Sequence, residues 1–236
     1  MAEDKITLAI FDFDGTLTEG HLWSGISKHH RKNKIKRLTL YTYMLSHLPL
    51  WLAAKLKLYS EEKNRSKWGE DLSVLFKGFT TEEARKAFEW VSDNYFMPLM
   101  RPDVMEKLKA HKKQGHQVML LSGMFDIFLE VMGERIGVDY VVGTKLEVTN
   151  NVYSGHIIKP LCFGENKAKL LAEFIGQHKL QVDYPHSFAY ADSIYDIPVL
   201  RMVGNPIATY PDKQLYQFSR TEKWQIIGDH DSSTRK

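Results

Sequence analysis

The chain is short of several things that would classify it at once. Of 236 residues one is cysteine, Cys162, so no internal disulfide can form and no cysteine pair stands at metal-ligand spacing. A reducing, intracellular setting is the expectation. Excess charge is scarce too: 32 Lys and Arg against 29 Asp and Glu leave a formal net charge of +3, too little to argue for nucleic acid as a partner. There is no internal repeat and no low-complexity stretch. No apolar run is long and unbroken enough for a comfortable membrane span, which takes about 20 residues. The opening MAEDKITLAIFDFDG carries acids and no charged-then-apolar leader, so secretion is not expected and the cytoplasm is. What is present is ordinary globular material, 43% hydrophobic and 26% charged. The length suits one large domain, or a core with a smaller insert.

Chemistry concentrates first in Phe11-Asp12-Phe13-Asp14-Gly15-Thr16-Leu17-Thr18. The aliphatic run Ile6 to Ile10 before it predicts a buried strand. Two Asp one residue apart at its end point the same way, and Gly15 lets the chain turn at once. An Asp-rich turn is the plain reading. At the carboxyl end of a parallel strand the pair can also hold a divalent cation and attack or protonate a bound group.

DFDGTLT resembles the first signature of the haloacid dehalogenase superfamily, mostly phosphatases with an aspartate nucleophile. Three further signatures should then follow in order, and stretches similar to them do. Gln117 to Leu121 predicts a strand ending on Ser122-Gly123, where hydroxyl and backbone amide can donate to a phosphate oxygen. Gly164-Glu165-Asn166-Lys167 opens a helix; a lysine so early opposes the helix dipole, a conflict that a phosphate would relieve. Last comes the strand Phe188–Ala191 with Asp192 and Asp196 beyond it, two carboxylates suited to a divalent metal site. Ala191 stands where Gly is usual in that signature; alanine is small, and no loss of activity is expected.

The resemblance implies a doubly wound parallel α/β sheet for residues 1–18 and 101–236, with an all-helical cap inserted at 19–100, as in relatives of the phosphoserine phosphatase type. It implies Asp12 as nucleophile, Asp14 as general acid and base, and Mg²⁺ on Asp12, the Asp14 backbone carbonyl and Asp192. Ser122, Gly123 and Lys167 would hold the phosphoryl oxygens, with Asp196 in support. An acid at the Asp14 position separates phosphatases from the dehalogenases proper and from the transport ATPases. A phosphotransferase, a phosphomutase and a non-catalytic binding protein are the other classes; the intact set argues against the last.

In the cap, Thr80-Thr81-Glu82-Glu83 predicts a helix start, followed by Ala84, Ala87, Phe88 and Val91 at helical spacing. Lys28, Arg31, Lys32, Lys34, Lys36 and Arg37 cluster with His29 and His30, and no formal charge follows until past Ala54. The run LTLYTYMLSHLPLWLAA is expected to pack inside the cap; a membrane-surface contact is the second reading. Phosphoserine phosphatases place an acid nine residues past the nucleophile, where this chain has His21, a possible substrate contact. They also use a cap arginine, which GEDLSVLFKG does not supply. YADSIYDIPVL with the later ATYPDKQL is similar to a subgroup of uncharacterised phosphatases and bacterial phosphatidylglycerophosphate phosphatases. The expected substrate is a small phosphorylated metabolite, with an amphiphilic phosphate as the alternative. Beyond these, Lys145 to Val148 and Val152 to Ile158 predict a hairpin across Asn150-Asn151, Pro198 to Val203 and Asp212 to Arg220 predict helices, and the polar tail HDSSTRK predicts no element.

Overall fold

The computed structural model describes residues 5–228; the tail HDSSTRK and the first four residues lie outside them. The chain runs β1 (Leu8–Phe11), α1 (Leu22–Lys32), α2 (Arg37–Lys55), α3 (Glu61–Asp71), α4 (Thr81–Val91), α5 (Pro102–Lys113), β2 (Gln117–Phe125), α6 (Asp126–Ile136), β3 (Tyr140–Thr149) and β4 (Val152–Ile158). Then follow α7 (Glu165–Gln177), β5 (Phe188–Ala191), α8 (Ile197–Leu200), β6 (Asn205–Thr209), α9 (Lys213–Glu222) and β7 (Gln225–Ile227).

The sheet has the order β4-β3-β2-β1-β5-β6-β7, parallel except for β4. All four residues of β1 are buried. Leu8 and Ile10 join Leu171, Leu200 and Leu215 from α7, α8 and α9 on one face. Ala9 and Phe11 join Leu108, Phe128 and the helices before α5 on the other. Burial on both faces is why this strand reads as an unbroken apolar run. Successive strands leave β1 in opposite directions, β2 on one side and β5 on the other, so β1 is the switch point, and the crevice beyond its carboxyl end is where such sheets place ligands.

Several boundaries move from those predicted. The first strand is Leu8–Phe11, with Ile6 forming only an isolated bridge to Val182. The second does not stop at Leu121: it continues through Ser122 and Gly123 to Phe125, with an irregularity in its pairing to β3 between Leu121 and Phe125. The predicted hairpin is present as β3 and β4, joined by Asn150 and Asn151 with φ of 51° and 63°. That pair of positive values is what a tight hairpin turn requires.

The chain leaves the sheet and returns to it at one place: Thr18 bridges Met100, the Glu19 amide donates to the Leu99 carbonyl, and the Arg101 amide to that of Leu17. Between these points lie α1 to α4. The α4 start carries the reciprocal Thr80–Glu83 capping box, and Ala84, Ala87, Phe88 and Val91 are its buried face, as their spacing predicted. The hairpin anchors this helical segment, since Gly78 donates to the Tyr153 carbonyl and Ser73 to that of Gly155.

The run 38–54 overturns its expectation. It forms α2, straight through Pro49, yet only Leu40, Tyr43 and His47 are buried. Two of them meet α3: the Tyr43 hydroxyl donates to the Trp68 carbonyl at 2.8 Å, and His47 Nε2 lies 3.0 Å from Asp71. Leu38, Tyr41, Leu45, Leu48 and Leu52 face outward. With one neighbouring layer, a helix apolar on every side buries only the stripe that touches it. Among the described residues no helix is long and apolar enough to cross a membrane.

Candidate active site

Asp12 lies one residue beyond β1, and its amide still donates to the Tyr190 carbonyl of β5 at 2.9 Å. Phe13 is fully buried against Phe96 and Phe128, which sends Asp12 and Asp14 to the opposite side. Gly15 has φ +85°, and a Cβ there would stand 2.3 Å from Asp192 Oδ2. The glycine therefore serves the turn and the close approach of the distant carboxylate together.

Lys167, in the first turn of α7, is 4% exposed. Its ammonium donates to Asp12 Oδ1 at 2.7 Å and to Asp196 Oδ1 at 2.6 Å. Carboxylate oxygens of Asp12, Asp192 and Asp196 lie within 4.8 Å of one another, all three residues buried. Burial pushes the Asp12 carboxyl up, against the pull of the Lys167 charge and with added repulsion from Asp196. For Lys167 burial works downward, but the charges of Asp12 and Asp196 outweigh it and hold the ammonium above its ordinary value.

Three buried carboxylates and one ammonium thus gather at one point. An all-oxygen donor set of this kind fits a hard divalent cation such as Mg²⁺. Of the metal residues expected from the sequence, Asp12 and Asp192 share the cluster, joined by Asp196, which had been expected only in support. The Asp14 carboxylate stands apart, 37% exposed, and accepts from His21 Nδ1 at 2.8 Å. His21 thus meets the second aspartate, and its backbone amide donates to the Tyr95 hydroxyl at 3.3 Å. Ser122 is buried in β2, two positions past Leu120, the partner of Phe11. The Gly123 carbonyl accepts from Thr144. Both stand in the irregular part of the neighbouring strand, outside the Asp12–Lys167–Asp196 network.

Three contributors escape the sequence reading. Thr16 is buried and its hydroxyl donates to Asp12 Oδ2 at 3.2 Å, so Asp12 is held from both oxygens; its place four residues on, inside the turn, was the available signal. Asp212 caps α9 through the Leu215 amide and also accepts from the Ile194 amide, while its own amide donates to the Asp192 carbonyl. An Asp just before a helix is a cap signal, but nothing local shows that it braces another loop. Arg65 of α3 lies 5.7 Å from the Tyr195 ring, over the loop between Asp192 and Asp196.

The doubly wound sheet carries a buried aspartate at its switch point with two further acids around it, and the comparison with protein families gives the class. The chain belongs to the haloacid dehalogenase-like hydrolases, whose family model matches residues 9–201. Among curated relatives, phosphoserine phosphatase SerB1 of Mycobacterium tuberculosis is 25% identical over 229 residues, covering 94% of this chain and 71% of that protein. The histidinol-phosphatase of Neisseria meningitidis serogroup C is 23% identical over 241 residues, covering 93% of this chain and 97% of the relative. The chain spans 57% of the length of another curated relative. A solved structure, a protein of unknown function from Bordetella pertussis Tohama I, shares the fold with a TM-score of 0.80 at 19% identity, over 95% of this chain and 99% of that one.

Proposed function

We propose that this protein is a Mg²⁺-dependent phosphomonoester hydrolase working through an aspartyl-phosphate, with residues 19–100 as a cap over the site. The observation that carries the reading is the division of labour between two aspartates two residues apart. Asp12 is buried and held by Lys167 and Thr16, whereas Asp14 is half-open and bonded to His21.

Asp12 attacks phosphorus in line, and the bond to the leaving alkoxide breaks as the acyl phosphate forms. Asp14 gives the alkoxide its proton, then takes one from the water that cleaves the acyl phosphate. Lys167, Ser122 and the Gly123 amide hold the phosphoryl oxygens. Asp12, Asp192 and the Asp14 carbonyl, with Asp196 in support, would hold Mg²⁺, which would neutralise phosphoryl charge that otherwise repels an anionic nucleophile. The fixed pair of bonds on Asp12 keeps one rotamer aimed at the substrate.

The substrate class is a small phosphorylated metabolite, which the names of the phosphoserine and histidinol-phosphate relatives support. His21 in the place of an acid argues against phosphoserine itself. An amphiphilic phosphate is the second reading, favoured by the exposed apolar side of α2. The deciding experiment measures Mg²⁺-dependent phosphate release from phosphoserine, histidinol phosphate, other small esters, lysophosphatidate and phosphatidylglycerophosphate, with Asp12→Asn as control. Release from small esters that vanishes in the control supports the reading. Lipid preference moves it to the second, and no release above the control overturns both.

A further inference from the structure

We infer that the outer face of α2 is a docking surface for an anionic lipid bilayer, on which the helix lies flat. The inference goes beyond the hydrolase reading and does not depend on it.

Leu38, Tyr41, Leu45, Leu48 and Leu52 follow one another at three- and four-residue steps and are 77, 61, 68, 48 and 47% exposed. Met44 and Trp51 widen the stripe, and Leu56 and Leu58 continue it beyond the helix end. A helix facing water carries charges on that side; this one has none from Leu38 to Ala54. At 19 residues it is about 28 Å long, but it fails as a membrane span, so its apolar side can be satisfied by lying in an interface.

Charge identifies the occupant. From Gly20 to Ser60 the chain has no Asp or Glu and eight Lys or Arg: Lys28, Arg31, Lys32, Lys34, Lys36, Arg37, Lys55 and Lys57. The acids of α3 that share a cleft with α2 are engaged, Glu70 with Lys159 and Asp71 with Lys67 and His47. At one end of the stripe Arg31 and Arg37 line a cleft of about 310 Å³ together with Leu40, Tyr41 and Met44, a cationic mouth over an apolar wall. At the other end the Lys55 ammonium lies 4.2 Å from the centre of the Trp51 ring. Basic and aromatic side chains at the ends of an apolar stripe match headgroups above acyl chains. Lys28, Lys32 and Lys36 turn to the rings of Tyr95, Trp90 and Phe79, which leaves Arg31 and Arg37 at one end and Lys55 at the other to flank the stripe. A second copy of this chain would bring like charges to this face, which disfavours self-association through it.

The test is co-sedimentation of the full chain with vesicles of phosphatidylcholine alone and of phosphatidylcholine with phosphatidylglycerol. Retention is expected on the anionic vesicles and to weaken with salt. Leu45→Glu with Leu48→Glu should abolish it. Arg31→Ala with Arg37→Ala should weaken it about 25-fold, from about 1 kcal/mol for each basic residue near the surface. Both variants should keep the parent's circular dichroism and its turnover of p-nitrophenyl phosphate, which reads the hydrolase separately. Absence of binding to anionic vesicles, or equal binding by the Glu variant, overturns the inference. So does a dimer in light scattering that Leu45→Glu dissociates while vesicles bind nothing; the face would then belong to a second copy.

Discussion

Replacing Lys167 with methionine keeps the unbranched side chain to within one atom of its length and deletes the charge that Asp12 and Asp196 share at 2.7 and 2.6 Å. Breaking a buried ion pair from one side costs about 3–5 kcal/mol, because the remaining charges stay buried without a partner. Against a typical stability of about 5–15 kcal/mol this is a large fraction. The sign with pH follows from Asp12: without the ammonium its folded-state pKa rises further above the unfolded value. The variant is therefore least penalised in acid, where that carboxyl is protonated, and loses stability as pH rises through the folded pKa. Mg²⁺ binding to the same acids should recover part of the loss at neutral pH. Turnover should fall about 10²–10³-fold, the usual cost of losing one donor to the phosphoryl oxygens. Urea unfolding at several pH values, with and without Mg²⁺, and kcat on p-nitrophenyl phosphate read both effects. A Lys167→Met protein as stable as the parent at neutral pH without Mg²⁺, or with an undiminished kcat, would refute the reasoning about the cluster.

Gly15→Ala meets a positive φ and the Asp192 carboxylate at 2.3 Å, so Mg²⁺ affinity by calorimetry should drop with activity while the fold survives in circular dichroism. His21→Ala removes a 2.8 Å bond between exposed groups; an exposed pair contributes about 0–1 kcal/mol, so kcat/KM should fall less than about fivefold, and a far larger loss in steady-state assays would assign His21 a direct part in proton transfer. Burial pushes the fully buried His30 and the buried His111 down to about 4 from 6.5. The fold binds fewer protons there than the unfolded chain, so stability is complete above 6.5 and declines as pH falls toward 4, by about 3 kcal/mol for each histidine, in pH-dependent urea unfolding. Asp126, pushed up by burial to about 6, works in the opposite sense over the same range.

Much was legible in the chain because its cause is local. Unbroken apolar runs mark strands buried on both faces, as at Leu8–Phe11. Thr80 with Glu83 announces a helix, and Asn150-Asn151 a turn, through bonds and dihedrals that span four residues or fewer. The candidate acids could be named because carboxylates after a strand end are rare without a task and carry a family resemblance.

Tertiary structure decided what depends on neighbours far away in sequence. Asp12 and Lys167 are 155 positions apart, and only the parallel order around β1 brings ammonium and carboxylate together. It also set Asp196 into the acid cluster and turned His21 toward Asp14, since pointing directions follow the fold and spacing does not contain them. The α2 run shows the same division. Its sequence determined that the helix would be apolar on all sides, but burial is a property of what packs against a surface, and here one layer covers Leu40, Tyr43 and His47 while the opposite side meets none among the described residues.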